Sequence, residues 1–166
     1  EYVADAAAGK LRPKYTPLQV GEWLATLAAN VREAIRRAAS VRGIESAPEW
    51  AGTELDSLML ADIAEYHSHK VEAAVALAWH QLKADAKRLA EAHTAMVAAR
   101  EVWRRLAERG AAFHDNLVFQ AGGLTGGRMG HWRDWLPELD KDVDKLASML
   151  RGGIAATGSP AAAAPR

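Results

Sequence analysis

Four stretches of this chain repeat their apolar residues at helical spacing, and none alternates at the period of two that a half-buried strand needs. From Leu18 to Val41 the residues Trp23, Leu24, Leu27, Val31, Ala34, Ile35 and Ala38 recur on one side. Glu22, Glu33, Arg36 and Arg37 fall on the other. Thr16, Pro17 and Gln19 form a start signal: an N-cap hydroxyl, a proline where no N–H is needed, and a capping-box partner. Gly43 and "ESAPEW" end this helix, and Trp50 is expected to staple the start of the next.

A second helix is predicted from Thr53 to Lys83, with Leu55, Met59, Ile63, Tyr66, Ala73 and Leu77 as its stripe. Leu60, Val71, Val75 and Leu82 widen the arc, as suits a helix with two or more neighbours. A polar strip carries Glu54, Glu65, Glu72 and Lys83, and Trp79 sits at its border as a half-exposed interface residue. A third helix is predicted from Asp85 to Glu108, facing inward with Leu89, Ala92, Met96, Ala99, Val102, Trp103 and Leu106 and stopped by Gly110. The last runs from Pro137 to Leu150, with Leu139, Val143, Leu146 and Leu150 inward and Gly152 and Gly153 closing it. The fold expected is all-α, a four-helix up-down bundle with one long Gly- and aromatic-rich loop before the last helix.

The 166 residues suffice for one core. Residues 1–14 read as a lead-in, 15–151 as the helical module and 152–166 as a Pro/Ala-rich linker tail. The start at Glu1 and the "SPAAAAPR" ending suggest a module cut from a longer protein; a processed N-terminus with an ordinary tail is the duller account. Twenty-one basic residues cancel twenty-one acidic ones, which removes the cationic excess expected of a nucleic-acid binder. No cysteine is present, so thiolate chemistry and Cys-based zinc sites are excluded. No run of about 18 apolar residues occurs, so no helix is expected to cross a membrane.

The segment Phe113–Pro137, "FHDNLVFQAGGLTGGRMGHWRDWLP", is longer than the roughly 12–15 residues beyond which a loop is usually functional or disordered. Its aromatics argue against disorder. His114 and Asp115 could exchange protons, but no nucleophile accompanies them, and Asp115 and Asn116 are also good capping residues. The glycines lack the strand-then-helix setting of a phosphate cradle. Trp132 and Trp135, three apart, are either core plugs or a platform for a sugar ring.

On the second helix, His67 and His69 point about 200° apart and cannot share an ion, and no other pair has metal-ligand spacing. Lys70 projects toward the apolar stripe. It must snorkel, pair with an acid or line a cavity; with His67 it could form the polar wall of a pocket roofed by the long loop.

With "YHSHK" midway and "FHDNLVFQAGG" and "GHWRDWLPELDKDV" late, the chain resembles helical accessory modules toward the C-terminal side of large, secreted bacterial glycan-degrading, glycoside hydrolase-like proteins. The likeness covers Tyr15 to Leu150. His67, His69, Lys70, Asp115, His131, Trp132 and Asp134 match motif positions. "FQAGG" departs from a tight Phe-Gly, and Trp135 stands where a basic residue is expected. The resemblance implies an extracellular, non-enzymatic role beside a catalytic domain of the same chain.

The expectation is therefore a carbohydrate-binding module with no cofactor and no metal. Its site comprises His67, Lys70, His114, Asp115, His131, Trp132 and Trp135, and its partners are a poly- or oligosaccharide and the neighbouring catalytic domain. Lys70, Arg128 and Arg133 would favour acidic sugars if the ligand carries carboxylates or sulfates. The alternative is a structural bundle that packs against a catalytic domain or another protein without a ligand of its own.

Overall fold

The computed structural model describes residues 1–11, 15–112 and 130–157. They form five α-helices and no strand: α1 (Tyr2–Ala7), α2 (Pro17–Ala39), α3 (Trp50–Lys83), α4 (Ala86–Arg109) and α5 (Leu136–Thr157). Single 3-10 turns stand at Ile44–Ser46, Gly110–Ala112 and Trp132–Trp135. The chain is all-helical, as its periodicity requires. Of the long segment, 113–129 lie outside the described residues.

Helix α2 begins as its sequence dictates. Gln19 N–H donates to Thr16 Oγ1 at 3.2 Å, and Thr16 N–H donates to Gln19 Oε1 at 2.9 Å, closing the capping box. Between α3 and α4, Ala84 turns left-handed at φ 52°, and the Asp85 carboxylate accepts from Lys87 N–H at 2.9 Å. His80 Nδ1 donates to the Asp85 carbonyl at 2.9 Å, pinning the turn from the α3 side. A reversal this tight lays α4 back along α3.

Three boundaries differ from expectation. Tyr2–Ala7, taken as lead-in, is helical, buries Val3 and packs on α3. Trp50, expected ahead of its helix, is the first residue of α3. Gly152 and Gly153 do not end α5, which continues to Thr157. An isolated glycine lowers helix propensity by only about 1 kcal/mol, which neighbouring turns can offset.

The main core lies between α3, α4 and α5. Tyr66 and Ala73 meet Leu89, Ala92, Met96, Ala99 and Val102, and Leu139, Val143 and Leu146 close over them. Every inward residue expected on α4 is buried except Trp103, which is half-buried. Ala92 and Ala99 are 0% exposed, so these small side chains let the helices approach closely.

The α2–α3 contact is thinner. Ala28 meets Ala61 and Ala64, with Leu24 and Val31 half-buried beside them, and Gly21 faces Ser68 and Val71. Trp23 and Leu27, expected inward, are 51% and 54% exposed. The helix is turned so that its smallest residues, not its largest, face α3.

What fixes that rotation is ionic. Asp62 of α3 is 0% exposed, and its Oδ1 accepts from Arg32 of α2 at 2.7 Å and from Arg105 of α4 at 2.9 Å. Its Oδ2 accepts from Arg109 at 2.8 Å. Glu65, one turn on, pairs with Arg32 and accepts from Arg105 at 2.6 Å. Burial alone would lower the Arg105 pKa, but Asp62 and Glu65 outweigh it and hold the group above its usual value. A buried carboxylate is tolerated only when it is paired and fully hydrogen-bonded. Here that requirement ties three helices together.

A candidate ligand cleft

The segment that leads into α5 is split between structure and surface. His131 is 2% exposed, with Nε2 donating to the Gly110 carbonyl at 2.8 Å and Nδ1 accepting from Arg133 N–H at 3.1 Å. The Asp134 carboxylate accepts from His131 N–H at 2.7 Å, completing a capping box around the turn. Both ring nitrogens are engaged. His131 thus acts as a cap that anchors the segment to the end of α4.

Trp132 continues the anchor. Trp103 Nε1 donates to the Trp132 carbonyl at 2.7 Å, and the Trp132 indole lies flat against Gly110. A Cβ at Gly110 would come 2.6 Å from Trp132 Cε3, so only glycine leaves room. This is a packed corner rather than a platform.

One short turn later Trp135 points elsewhere. It is 41% exposed and lines a cleft of about 430 Å³ together with Tyr66, His67, Lys70, Trp103, Glu138, Leu139 and Asp142. The cleft therefore joins the α3 turn Tyr66–Lys70 to the start of α5, the two places that sequence reasoning paired. Lys70 is exposed, and its Nζ donates to Tyr66 Oη at 2.9 Å while lying 5.4 Å from that ring's centroid. The lysine thus snorkels along a buried tyrosine and keeps its charge at the rim. Tyr66 stacks obliquely on Trp103 at 4.7 Å and meets the His67 ring edge-on at 5.1 Å. Glu138 also accepts from Lys141 at 2.9 Å.

Of the seven residues expected at the site, the structure brings together His67, Lys70 and Trp135. His131 and Trp132 lie in the adjoining corner and do not line the cleft. His114 and Asp115 lie outside the described residues, as does Arg128. Glu138, Asp142 and Trp103 line the cleft but were not expected there. The signal for the acids was present: residues 135, 138, 139 and 142 share one side of a helix.

A larger groove, about 630 Å³, opens between α3 and α4 beside Trp79. Its polar rim is already committed within single helices, His69 to Glu72 at 3.2 Å and Arg88 to Glu91 at 2.8 Å. The 430 Å³ cleft is the better candidate because its aromatic face is exposed among polar groups drawn from two helices.

The geometry suits binding more than covalent chemistry. Among the described residues no group of three or more His, Asp or Glu side chains is placed to hold a metal ion. No described helix is long and apolar enough to cross a membrane. Comparison with protein-family models, with curated proteins and with solved structures gives no match.

Proposed function

We propose that this chain is a non-catalytic carbohydrate-binding module of a secreted, polysaccharide-active bacterial protein, and that glycan docks on Trp135. The observation that carries the reading is the exposed indole set in a cleft with Tyr66, His67, Lys70, Glu138 and Asp142. The flat indole offers a partner for the C–H face of a sugar ring, while the cation and the two acids offer donors and acceptors for hydroxyls. Two carboxylates beside one lysine favour a neutral glycan over a polyanion, a narrower choice than the acidic sugars that Lys70, Arg128 and Arg133 suggest.

The module would hold an attached catalytic domain at high local concentration on its substrate. In this reading the four long helices run up-down, so the start of α5 returns beside the middle of α3 and builds the cleft from distant sequence. The competing reading is a structural bundle that packs against a catalytic domain or another protein. It draws support from His131 and Trp132, whose contacts serve the fold.

Affinity electrophoresis of the 166-residue chain through gels containing a panel of neutral and acidic polysaccharides separates the two. At least one neutral polymer should retard the wild-type protein, and Trp135→Ala should abolish the retardation with an unchanged melting temperature. Loss of the stacked indole is expected to weaken binding at least tenfold, about 1.4 kcal/mol. Uniform migration of the wild type across the panel contradicts glycan binding. Equal retardation of Trp135→Ala removes the site from this cleft.

A further inference from the structure

The rotation of α2 that places Gly21 and Ala28 inward leaves an apolar stripe outward. Trp23 is 51% exposed, Leu27 54% and Val20 38%, and the Tyr15 ring packs edge-on against Trp23 at 4.5 Å. Asn30 and Ala34 continue the same side, and half-buried Ala38 ends it. No described helix covers this face. Large apolar side chains in such a contiguous strip are characteristic of an interface rather than of scattered surface residues.

The helix is also graded. Its large residues, Trp23 and Leu27, stand in the first half and its small ones, Ala34 and Ala38, in the second. Charge follows the same order. Between Pro17 and Ala28 the one charged residue is Glu22, whereas Arg36 and Arg37 stand in the last turn, 72% and 74% exposed, with Glu33 alone opposing them. A helix with such a gradient complements its own copy when the two run in opposite directions.

We infer that α2 is the seat of a two-fold symmetric dimer, in which the α2 helices of two copies of this chain pack antiparallel along the Trp23–Leu27 stripe. Trp23 of each copy covers Ala38 of the other, and Leu27 covers Ala34. Asn30 lies next to the dyad, where a buried amide fixes register. Glu22 comes within a turn of the other copy's Arg36 and Arg37. Because the contact is isologous, each large-over-small pair and each charge pair occurs twice. The glycan cleft plays no part in this contact, so the dimer and the ligand site stand or fall separately.

Sedimentation equilibrium over a wide concentration range gives the first test. The wild-type mass should rise from the 17.9 kDa monomer to twice that value as concentration increases. Leu27→Glu, at a position exposed in the single chain, should stay monomeric with its helical circular dichroism unchanged. A wild type that remains at 17.9 kDa throughout overturns the inference. Direction is read by cross-linking, which the absence of native cysteine makes clean. A mixture of Leu27→Cys and Ala34→Cys chains, oxidised together, should give mainly the mixed disulfide dimer. Like-with-like dimers alone would mean parallel packing and would equally overturn it.

Discussion

The α3–α4 pair is gripped on its two sides by different physics. On the α5 side, Leu139, Val143 and Leu146 close an apolar core over Leu89, Ala92 and Met96. On the α2 side the apolar contact is little more than Ala28 against Ala61 and Ala64, and Arg32, Arg105 and Arg109 converge on a fully buried Asp62. The first grip depends on area removed from water, which scales with side-chain size. The second depends on direction, because a carboxylate with no access to water must find its donors at set angles. An apolar stripe tolerates a helix that rolls; a shared carboxylate does not.

The sharpest way to break that contrast is Asp62→Asn. Three arginines would then surround a neutral amide, and about 3–5 kcal/mol of stability should be lost, measured by urea unfolding. A loss below about 1 kcal/mol would mean that packing, not charge, sets the α2 rotation. Leu146→Ala is the apolar counterpart. Its cost should be about 3 kcal/mol, from the transfer and cavity terms of a buried leucine, and the α2 contacts should be undisturbed. Loss of α2 order in that variant, seen in amide exchange, would show that the two grips are not independent.

Much of the α5 side was legible beforehand because size and burial run together there. The stripes of α4 and α5 are buried as their spacing predicts, and Thr16-Pro17-x-Gln19 caps α2 as its chemistry predicts. On the α2 side the same rule pointed about 70° away, because it weighs Trp23 and Leu27 above Gly21 and Ala28. The correction was encoded in an acid: Asp62 falls between Met59 and Tyr66 on the buried side of α3, as out of place as Lys70 seemed. A lone charge in an apolar stripe does not disclose whether it is satisfied by distant arginines or aimed at a ligand. Asp62 proved to be the first, while Lys70 rests on Tyr66 at the rim of a cleft. The segment Gly130–Trp135 was harder still. Trp132 and Trp135 are the same residue type three apart, and only the fit of one indole against Gly110 separates packed corner from open cleft.

Gly110→Ala probes that separation. The added methyl meets Trp132 and should cost about 1–3 kcal/mol by overpacking, with the indole and the turn behind it displaced. If Trp132 is only a surface residue, thermal unfolding will show no change. The smallest effect belongs to an exposed pair on α4. A hydrogen bond from Arg100, opposed in part by burial and aided by Arg104, holds the Glu101 carboxyl below its ordinary value of 4.5. A depressed acid contributes stability above its unfolded pKa and loses it as pH falls through the folded value. With Glu101 43% exposed, Glu101→Gln should cost under about 0.5 kcal/mol at neutral pH. The difference from wild type should vanish on acidification below the usual carboxylate range. A difference that persists in acid would assign the effect to shape rather than charge.

Six tryptophans make the central claim directly observable. In ¹H–¹⁵N spectra of the labelled protein titrated with the oligosaccharide of whichever polymer retards it most, the indole resonances of Trp135 and Trp103 should shift together and saturate. Those of Trp23, Trp50 and Trp79, which do not line the cleft, should stay in place. Saturable shifts confined to Trp23 or Trp79, or no indole shift at a ligand concentration that retards the protein, would contradict a glycan site at Trp135.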